Sequence, residues 1–497
     1  MTIEEVIVER ARDADRGWGS AYPFFASVIR KRNYAVGAEI GVAFGGHAEY
    51  LLQNSAVELL YGVDPYRHDM NYRDPMNLPQ ADFDALFSFT TKRMAPFGGR
   101  FKLIRTYSNE AVNEIQGNLD FVYIDAIHSY DGVWLDLCAW YPKVRYGGII
   151  GGHDYDHPDF PGVKAAVDGF FARLGYSIHA EGEGVWWTEK VRINVSFIIP
   201  AYNCSKTIAA SIESIMDRNA EEGDEIVVCD DRSTDDTAAV IAAMQNKYSA
   251  VRTVGHTRNK GGGSARNTAV EHAKNDLVFC LDSDNILAPG SVPKLKSFLI
   301  DSGADAAAFQ ELRFFSEAVA SISHKWIFRE GRTTLADHLA GHVVPGASGN
   351  YLFTKNSWAR AGGYPEFAGA LDAWGFGLRQ LATGSCMMVM PGTFYYHRCG
   401  HESYWVRESE KGHMSLIALQ LVIPFIDLID KKDIDYIMSP GARYSWFERL
   451  ERRPIMLRSG LFGKNGRVEL LLQEPANDTR AHRIAGRLRN ILKNLRT

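Results

Sequence analysis

The sequence predicts two α/β domains in tandem, each a doubly wound and mostly parallel sheet, followed by a helical extension. Three observations carry this. In the first half, short apolar runs (AEIGVA, LLYGVD, FKLIRT, DFVYID, YGGIIGG) alternate with stretches of helical length, the pattern of parallel strands joined by crossover helices. A second series opens at VSFIIPAYN, residues 195–203. It continues with the helical period of TIAASIESIMDR, then EIVVCDD and LVFCLDSDN. Finally, 497 residues is about three times the usual domain length.

The first domain is expected over residues 1–190, the second over 191–408 and the extension over 409–497. GVWWTEK ends one strand and the next begins near Arg192 without a Pro/Ser-rich tether, so the two domains are expected to dock closely. The apolar stretch 416–429 is interrupted by Gln420, Pro424 and Asp427. It is too short to span a bilayer and reads as a packed helix. From Arg480 onward, Arg483, Arg487, Arg489, Lys493 and Arg496 interleave with Ile484, Leu488, Ile491, Leu492 and Leu495 at helical spacing. This basic amphipathic helix suits either peripheral contact with an anionic membrane surface or docking on its own protein.

Apolar residues make up 46% and charged residues 23% of the chain, ordinary for a soluble globular protein, and the net charge of −5 excludes a nucleic-acid footprint. Six cysteines lie scattered without CxxC spacing and read as buried thiols of a reducing compartment. The amino-terminal segment is charged and has no secretory pattern, so a cytoplasmic location is expected. Nothing in the sequence sets an oligomeric state.

The loop from Glu39 to His47 follows the first strand. Gly41, Gly45 and Gly46 would let backbone approach a ligand there, and Asp64 arrives at the next strand end, placed to receive ribose hydroxyls. A tight turn that serves packing alone has the same signature. Residues 121–171 are more specific, with an IDxxHxY stretch and a GGxxxxHDY stretch at successive strand ends. Over residues 35–188 the chain resembles class I S-adenosylmethionine-dependent methyltransferases of the family 24 type, with a Rossmann-like fold. The resemblance implies that Glu39, Gly41, Gly45 and Asp64 hold the S-adenosylmethionine. It also implies that Asp125 and Asp154, with His153, gather Mg²⁺, and that His128 or His153 accepts a proton. A hard cation on oxygen ligands would orient a sugar hydroxyl and lower its pKa. The alternative is that Asp125 and His128 make strand-end hydrogen bonds and His153 is a satisfied turn residue.

The second half pairs a buried strand ending in Pro200, Ala201 and Tyr202 with the acidic turn Asp230–Asp231, the glycine-rich bend GGGSARN and the carboxylates Asp282 and Asp284 at a further strand end. Over residues 193–400 it resembles family 2 glycosyltransferases of the GT-A fold. The resemblance implies a nucleotide-sugar donor, UDP-linked first among the choices, and a glycan acceptor. Asp231 would read the uracil ring, Pro200, Ala201 and Tyr202 line the same pocket, and Arg266 approach the diphosphate or base. Asp282 and Asp284 would hold Mn²⁺ or Mg²⁺, with His397 completing the shell. Inverting transfer also needs a base for the acceptor hydroxyl, for which the candidate is Asp372. Leu371 and Ala373 flank it where the family shows an acidic pair, and Glu366 is the reserve. His397 and His401 equally suit core or acceptor contacts. Trp374 and Trp405 either stack on an acceptor sugar or pack in the core.

The expectation is a bifunctional enzyme of surface-polysaccharide biosynthesis that transfers a sugar with inversion and methylates a sugar hydroxyl. Two alternatives stand beside it. One is a glycosyltransferase with a noncatalytic amino-terminal scaffold, the other a methyltransferase with a degenerate, glycan-binding second domain.

Overall fold

The computed structural model describes residues 2–458 other than 70–75, 342 and 401–411. The basic tail from residue 480, His401 and Trp405 therefore lie outside the described residues.

The expected strands of the first half all form: β1 (Val36–Ile40), β2 (Leu59–Val63), β3 (Phe101–Ile104), β4 (Leu119–Ile124) and β5 (Val144–Gly152), joined at the edge by β6 (His179–Ala180) and β7 (Trp186–Glu189). Their order is β3-β2-β1-β4-β5-β7-β6, parallel from β3 to β5 and antiparallel at β7 and β6. Both faces are covered, which is why these strands read as apolar runs. Val122 and Ile124 pack under the helices Tyr130–Trp140 and Pro161–Ala172, while Phe121 and Tyr123 pack under Tyr22–Arg32 and Gly46–Asn54. The chain winds away from β1 in both directions, so the loops after β1 and β4 part and leave a crevice at the strand carboxyl ends.

The second sheet has ten strands. They are β8 (Val195–Ala201), β9 (Glu225–Asp230), β10 (Val251–Gly255), β11 (Leu277–Cys280), β12 (Ile286–Leu287), β13 (Ala306–Phe315), β14 (Ile322–Ile327), β15 (Gly331–Thr333), β16 (Leu352–Thr354) and β17 (Met387–Arg398). The order β10-β9-β8-β11 is parallel, and β16, antiparallel to β11 and β13, turns the sheet into a mixed one. Asp282 and Asp284 follow β11, next to the end of β8.

One hydrophobic core runs through both sheets, from Val122, Leu137 and Phe171 by way of Trp186 and Ile193 to Phe197, Leu295 and Leu299. At the seam the Arg173 guanidinium, 3% exposed, donates to the carbonyls of Ile300 and Ala304, 3.0 Å each, and so closes the carboxyl end of the helix Ser291–Asp301. Gly303 lies so close to Trp134 and Cys138 that a Cβ there would sit 3.0 Å from each.

The extension folds as the helix Met414–Val422, a 3-10 turn Ile423–Leu428 and the helix Lys431–Ile437. It packs a third core against Leu335, Leu339, Leu371 and Leu378. Trp374 belongs to that core. It is 2% exposed, its indole N–H donates to the His338 carbonyl at 3.2 Å, and its ring meets Phe447 edge-on. Of the two roles the sequence left open for Trp374, the buried one is what forms.

All six cysteines are free thiols. Among the described residues, no helix is long and apolar enough to cross a membrane.

Candidate functional site

The crevice of the first domain is a cleft of about 1310 Å³ whose walls include Glu39, Gly41, Asp64, Asp125, His128, His153 and Asp154. Sequence reasoning thus placed seven residues from four strand ends on one surface. Gly41 has φ +89°, and a Cβ there would stand 1.9 Å from the Asp125 carbonyl oxygen. Only glycine lets β1 and β4 approach this closely beneath a ligand. Gly41→Ala is expected to cost about 3 kcal/mol through overpacking and backbone strain, read as a lowered denaturation midpoint. Gly45 is placed differently from the expectation. It caps the helix Gly46–Asn54 with φ +76° and faces Thr90 and Met94, while Gly46 forms the wall.

Asp64 holds the loop closed. Its carboxylate accepts from the backbone N–H groups of Val42 (3.1 Å), Ala43 (3.0 Å) and Tyr66 (2.8 Å). Ala43, the residue in place of a middle glycine, adopts φ +46°, and its carbonyl is tied down by Thr90 and Tyr66. Asp64 remains half-exposed, and a carboxylate has room for about four hydrogen bonds, so ribose hydroxyls can still be received. Glu39 is buried, with Oε2 3.1 Å from Nδ1 of His47; burial raises its carboxyl and the His47 contact opposes the rise.

Asp125, His128 and Asp154 each offer one ligand atom, and these atoms lie within 4.8 Å of one another. His128 Nε2 stands 3.4 Å from Asp125 and 3.2 Å from Asp154. The sequence had grouped His153 with the two aspartates and offered His128 or His153 as the base; in the structure it is a His128 nitrogen that lies close to both carboxylates. The reason is backbone direction. Asp154 takes φ +59°, which turns the chain at the end of β5 and carries the carboxylate toward His128, while His153 Nδ1 sits beside Asp154 at 3.2 Å. Burial works to raise the Asp154 carboxyl, but hydrogen bonds from His128 and His153 hold it well below the usual carboxylate range. His153 is pulled down by burial and, more strongly, up by Asp154 and Asp125.

Sequence reasoning missed His47, Tyr22 and Trp18, all on the cleft wall. His47 was legible as the end of the glycine loop. The two aromatics come from the amino-terminal helices, whose docking no local pattern announces.

In the second domain β8 delivers Pro200, Ala201 and Tyr202 to the sheet edge, where Tyr202 is 44% exposed and Ala201 is buried. Asp231, expected to read the uracil ring, is enclosed by a neighbouring loop. It is 2% exposed, and its oxygens accept from His256 Nδ1 (2.7 Å), Lys260 N (2.8 Å) and Gly261 N (2.7 Å). These three bonds fasten the 256–261 loop to Asp231 and leave little of its carboxylate exposed. Asp230 is the half-exposed carboxylate of the pair, with one oxygen receiving Ser233 N–H and O–H.

Arg266 bridges two candidates, with Nη1 2.6 Å from Asp372 Oδ2 and Nη2 2.6 Å from Asp282 Oδ1. Asp282 also accepts from Asn350 Nδ2 at 2.9 Å. Asp284 is not so tied; burial and the neighbouring Asp282 push its carboxyl up to about 7. His397 Nδ1 lies 3.3 Å from Asn285 and 3.2 Å from Tyr395, and burial pushes the imidazole down to about 4, which keeps it neutral. Among the described residues, Asp282, Asp284 and His397 do not form a ligand set as tight as that of the first domain. Asp372 opens the helix Asp372–Ala382 but is 3% exposed, with Oδ1 accepting Ala373 N–H and Oδ2 on Arg266. Glu366 is exposed and touches Asn267 at 3.2 Å.

Among solved structures, Staphylococcus aureus TarS 1–349 is 18% identical, covering 46% of this chain and 66% of its own with a TM-score of 0.37. Chondroitin synthase of Escherichia coli is 42% identical over 98 residues, 20% of this chain and 14% of that protein. Succinoglycan biosynthesis protein ExoO of Rhizobium meliloti is 35% identical over 136 residues, 25% of this chain and 38% of that protein. The glucosyltransferase WfaP of Escherichia coli is 42% identical over 91 residues, 18% and 35% of the two chains. The chain spans less than half the length of each of these three relatives. Residues 38–155 match the model of a methyltransferase domain and residues 196–362 that of glycosyl transferase family 2. The chain thus joins a methyltransferase domain to a family 2 glycosyl transferase domain in one packed body.

Proposed function

We propose that the protein is a two-site enzyme of surface-polysaccharide assembly, in which the second domain adds a sugar from a nucleotide donor and the first methylates a hydroxyl of the same glycan. The observation that carries the reading is the meeting of Asp125, His128 and Asp154 within 4.8 Å on the wall of the cleft that the glycine loop also lines. S-adenosylmethionine, when bound, supplies the methyl group, and its polar parts fit the residues present: Glu39 beside the loop and Asp64 at the next strand end. Two carboxylates and an imidazole suit a divalent cation such as Mg²⁺ or Mn²⁺, which would lower the pKa of a hydroxyl brought against it. His153, oriented by Asp154 through Nδ1, is the group in this wall that takes the hydroxyl proton.

For the second domain, the relatives named for succinoglycan biosynthesis and for a UDP-glucose transfer support a polysaccharide product and a UDP-linked donor. Tyr202 and Asp230 are the exposed groups at the ends of β8 and β9 that suit the base and ribose, and Asp284 suits the cation of the diphosphate. One observation favours a second reading, a domain that binds the donor without transferring it. Asp372, the candidate base, is buried and occupied by Arg266, and Ala373 stands beside it.

The test uses the intact chain. S-adenosylhomocysteine and one of UDP, GDP and TDP with Mn²⁺ are each expected to raise the melting temperature, with additive effects. Asp125→Ala should lower methyl transfer at least about 100-fold and spare sugar transfer, and Asp284→Ala should do the reverse. Nucleotide binding with no donor turnover across an acceptor panel supports the second reading; silence toward both ligands overturns the proposal.

A further inference from the structure

We propose that the hairpin β13–β14 carries a carbohydrate subsite, in which His324 and Trp326 take the sugar next to the one that receives transfer; this rests on the sugar-transfer reading above. Antiparallel pairing sets Trp326 opposite Leu312 and His324 opposite Phe314, and β13 runs parallel to β17 with Phe314 opposite His397. Residues opposite one another share a face of the sheet. The result is a row of rings across three strands. His324 lies flat on Phe314, with centroids 4.1 Å and planes 10° apart, while Phe314 meets Trp326 edge-on at 5.2 Å and His397 at 4.9 Å. Phe314 is buried, Trp326 half-buried and His324 exposed.

The inner end of the row is the candidate transfer site. His397 Nδ1 is 3.3 Å from Asn285, the residue after Asp284, and the Asp284 carbonyl accepts from Arg398 Nε at 3.1 Å. In the sheet order, β9 and β8, whose ends suit the base and ribose, lie on one side of β11, which leads into Asp282 and Asp284; β13, β14 and β17 lie on the other. A ligand on the hairpin therefore reaches the site from the side away from the nucleotide. Two strand spacings, roughly 9–10 Å, separate His324 from His397, more than one pyranose ring spans. The sugar on the hairpin is thus the neighbour of the reacting one. The chemistry of the face selects a carbohydrate. On the opposite face Glu311 pairs with Arg313 at 2.5 Å and Lys325 at 2.7 Å, whereas the ring face carries no carboxylate, guanidinium or ammonium group to meet a charged ligand. A pyranose lays a face of C–H groups on an aromatic ring and keeps its hydroxyls at the rim. His324 Nδ1 lies 3.0 Å from Ser323 Oγ, so a rim hydroxyl would use Nε2.

Saturation-transfer NMR on the intact chain, with Mn²⁺ and whichever of UDP, GDP and TDP binds, tests this with mono-, di- and trisaccharides of glucose, galactose and N-acetylglucosamine. At least one di- or trisaccharide is expected to bind at least about tenfold more tightly than its monosaccharide. His324→Ala with Trp326→Ala should erase that advantage and leave nucleotide affinity, read by calorimetry, within about twofold. His324→Phe, which keeps the stacking face, should retain it. Melting of each variant verifies the fold; should the double variant not fold, His324→Ala alone, at an exposed position, is expected to lower the advantage at least about threefold. Mono- and oligosaccharides bound alike, equal weakening of both, or an advantage unchanged in the variants overturns the subsite, as does the lack of any saccharide binding by a chain that binds nucleotide. Silence of the unaltered chain toward all three nucleotides overturns instead the sugar-transfer reading, and the subsite falls with it.

Discussion

Arg173→Ala is expected to destabilise the whole chain by about 1–3 kcal/mol, although Arg173 lies in neither candidate site. The guanidinium is buried at the seam and is the donor to the carbonyls of Ile300 and Ala304. Removing it takes from the buried Ala304 carbonyl the side-chain donor it has, worth about 1–3 kcal/mol, while the Ile300 carbonyl keeps the Gly303 N–H at 3.1 Å. The loss reaches both domains because a single apolar core passes from Phe171 through Ile193 to Leu299. For the same reason, cutting the chain near residue 191 should give two halves that melt well below the intact protein and bind apolar dyes. Calorimetry of the intact chain should show one transition, displaced as a unit by Arg173→Ala. Two transitions, of which only one moves, would mean that the domains fold separately despite the shared core.

The second large effect is expected at Arg266. Arg266→Met leaves Asp282 and Asp372 facing each other across a buried gap without their shared cation. Breaking such a buried pair by removing one partner costs about 3–5 kcal/mol. Nucleotide binding should fall with it, since Asp282 then repels the second carboxylate and no longer holds its orientation. A double variant separates the causes. Arg266→Met with Asp372→Asn removes one of the two stranded charges and should recover part of the stability, with a coupling of at least about 1 kcal/mol. Additive losses would mean that the two carboxylates are solvated once the arginine is gone. The same network occupies the candidate base Asp372, whose two oxygens take Arg266 and the Ala373 N–H.

Much of this architecture was written in the chain. Strands buried on both faces must be apolar along their length, so AEIGVA, DFVYID and VSFIIPA declared themselves, and the positive-φ turn at Gly41 required glycine. Strand ends fall at one edge of a parallel sheet, so Glu39, Gly41, Asp64, Asp125 and Asp154 could be assigned to one cleft before any coordinate was known. Those conclusions depend on local pattern and on the topology that local pattern implies.

What tertiary structure decided was the partner of each polar atom. His128 rather than His153 completes the cluster with Asp125 and Asp154, because a left-handed turn at Asp154 redirects two adjacent side chains. Asp231 is closed by a loop that begins twenty-five residues later, and Asp372 by an arginine on another helix. Trp374 went to a core formed with the extension, and Nε2 of His47 has no hydrogen-bond partner among the described residues. Sequence fixes which residues can donate or accept, through hydrophobic period and turn chemistry that act over a few residues. Which group meets which depends on contacts between segments far apart in the chain, and these arise only when burial forces every polar atom to find a partner.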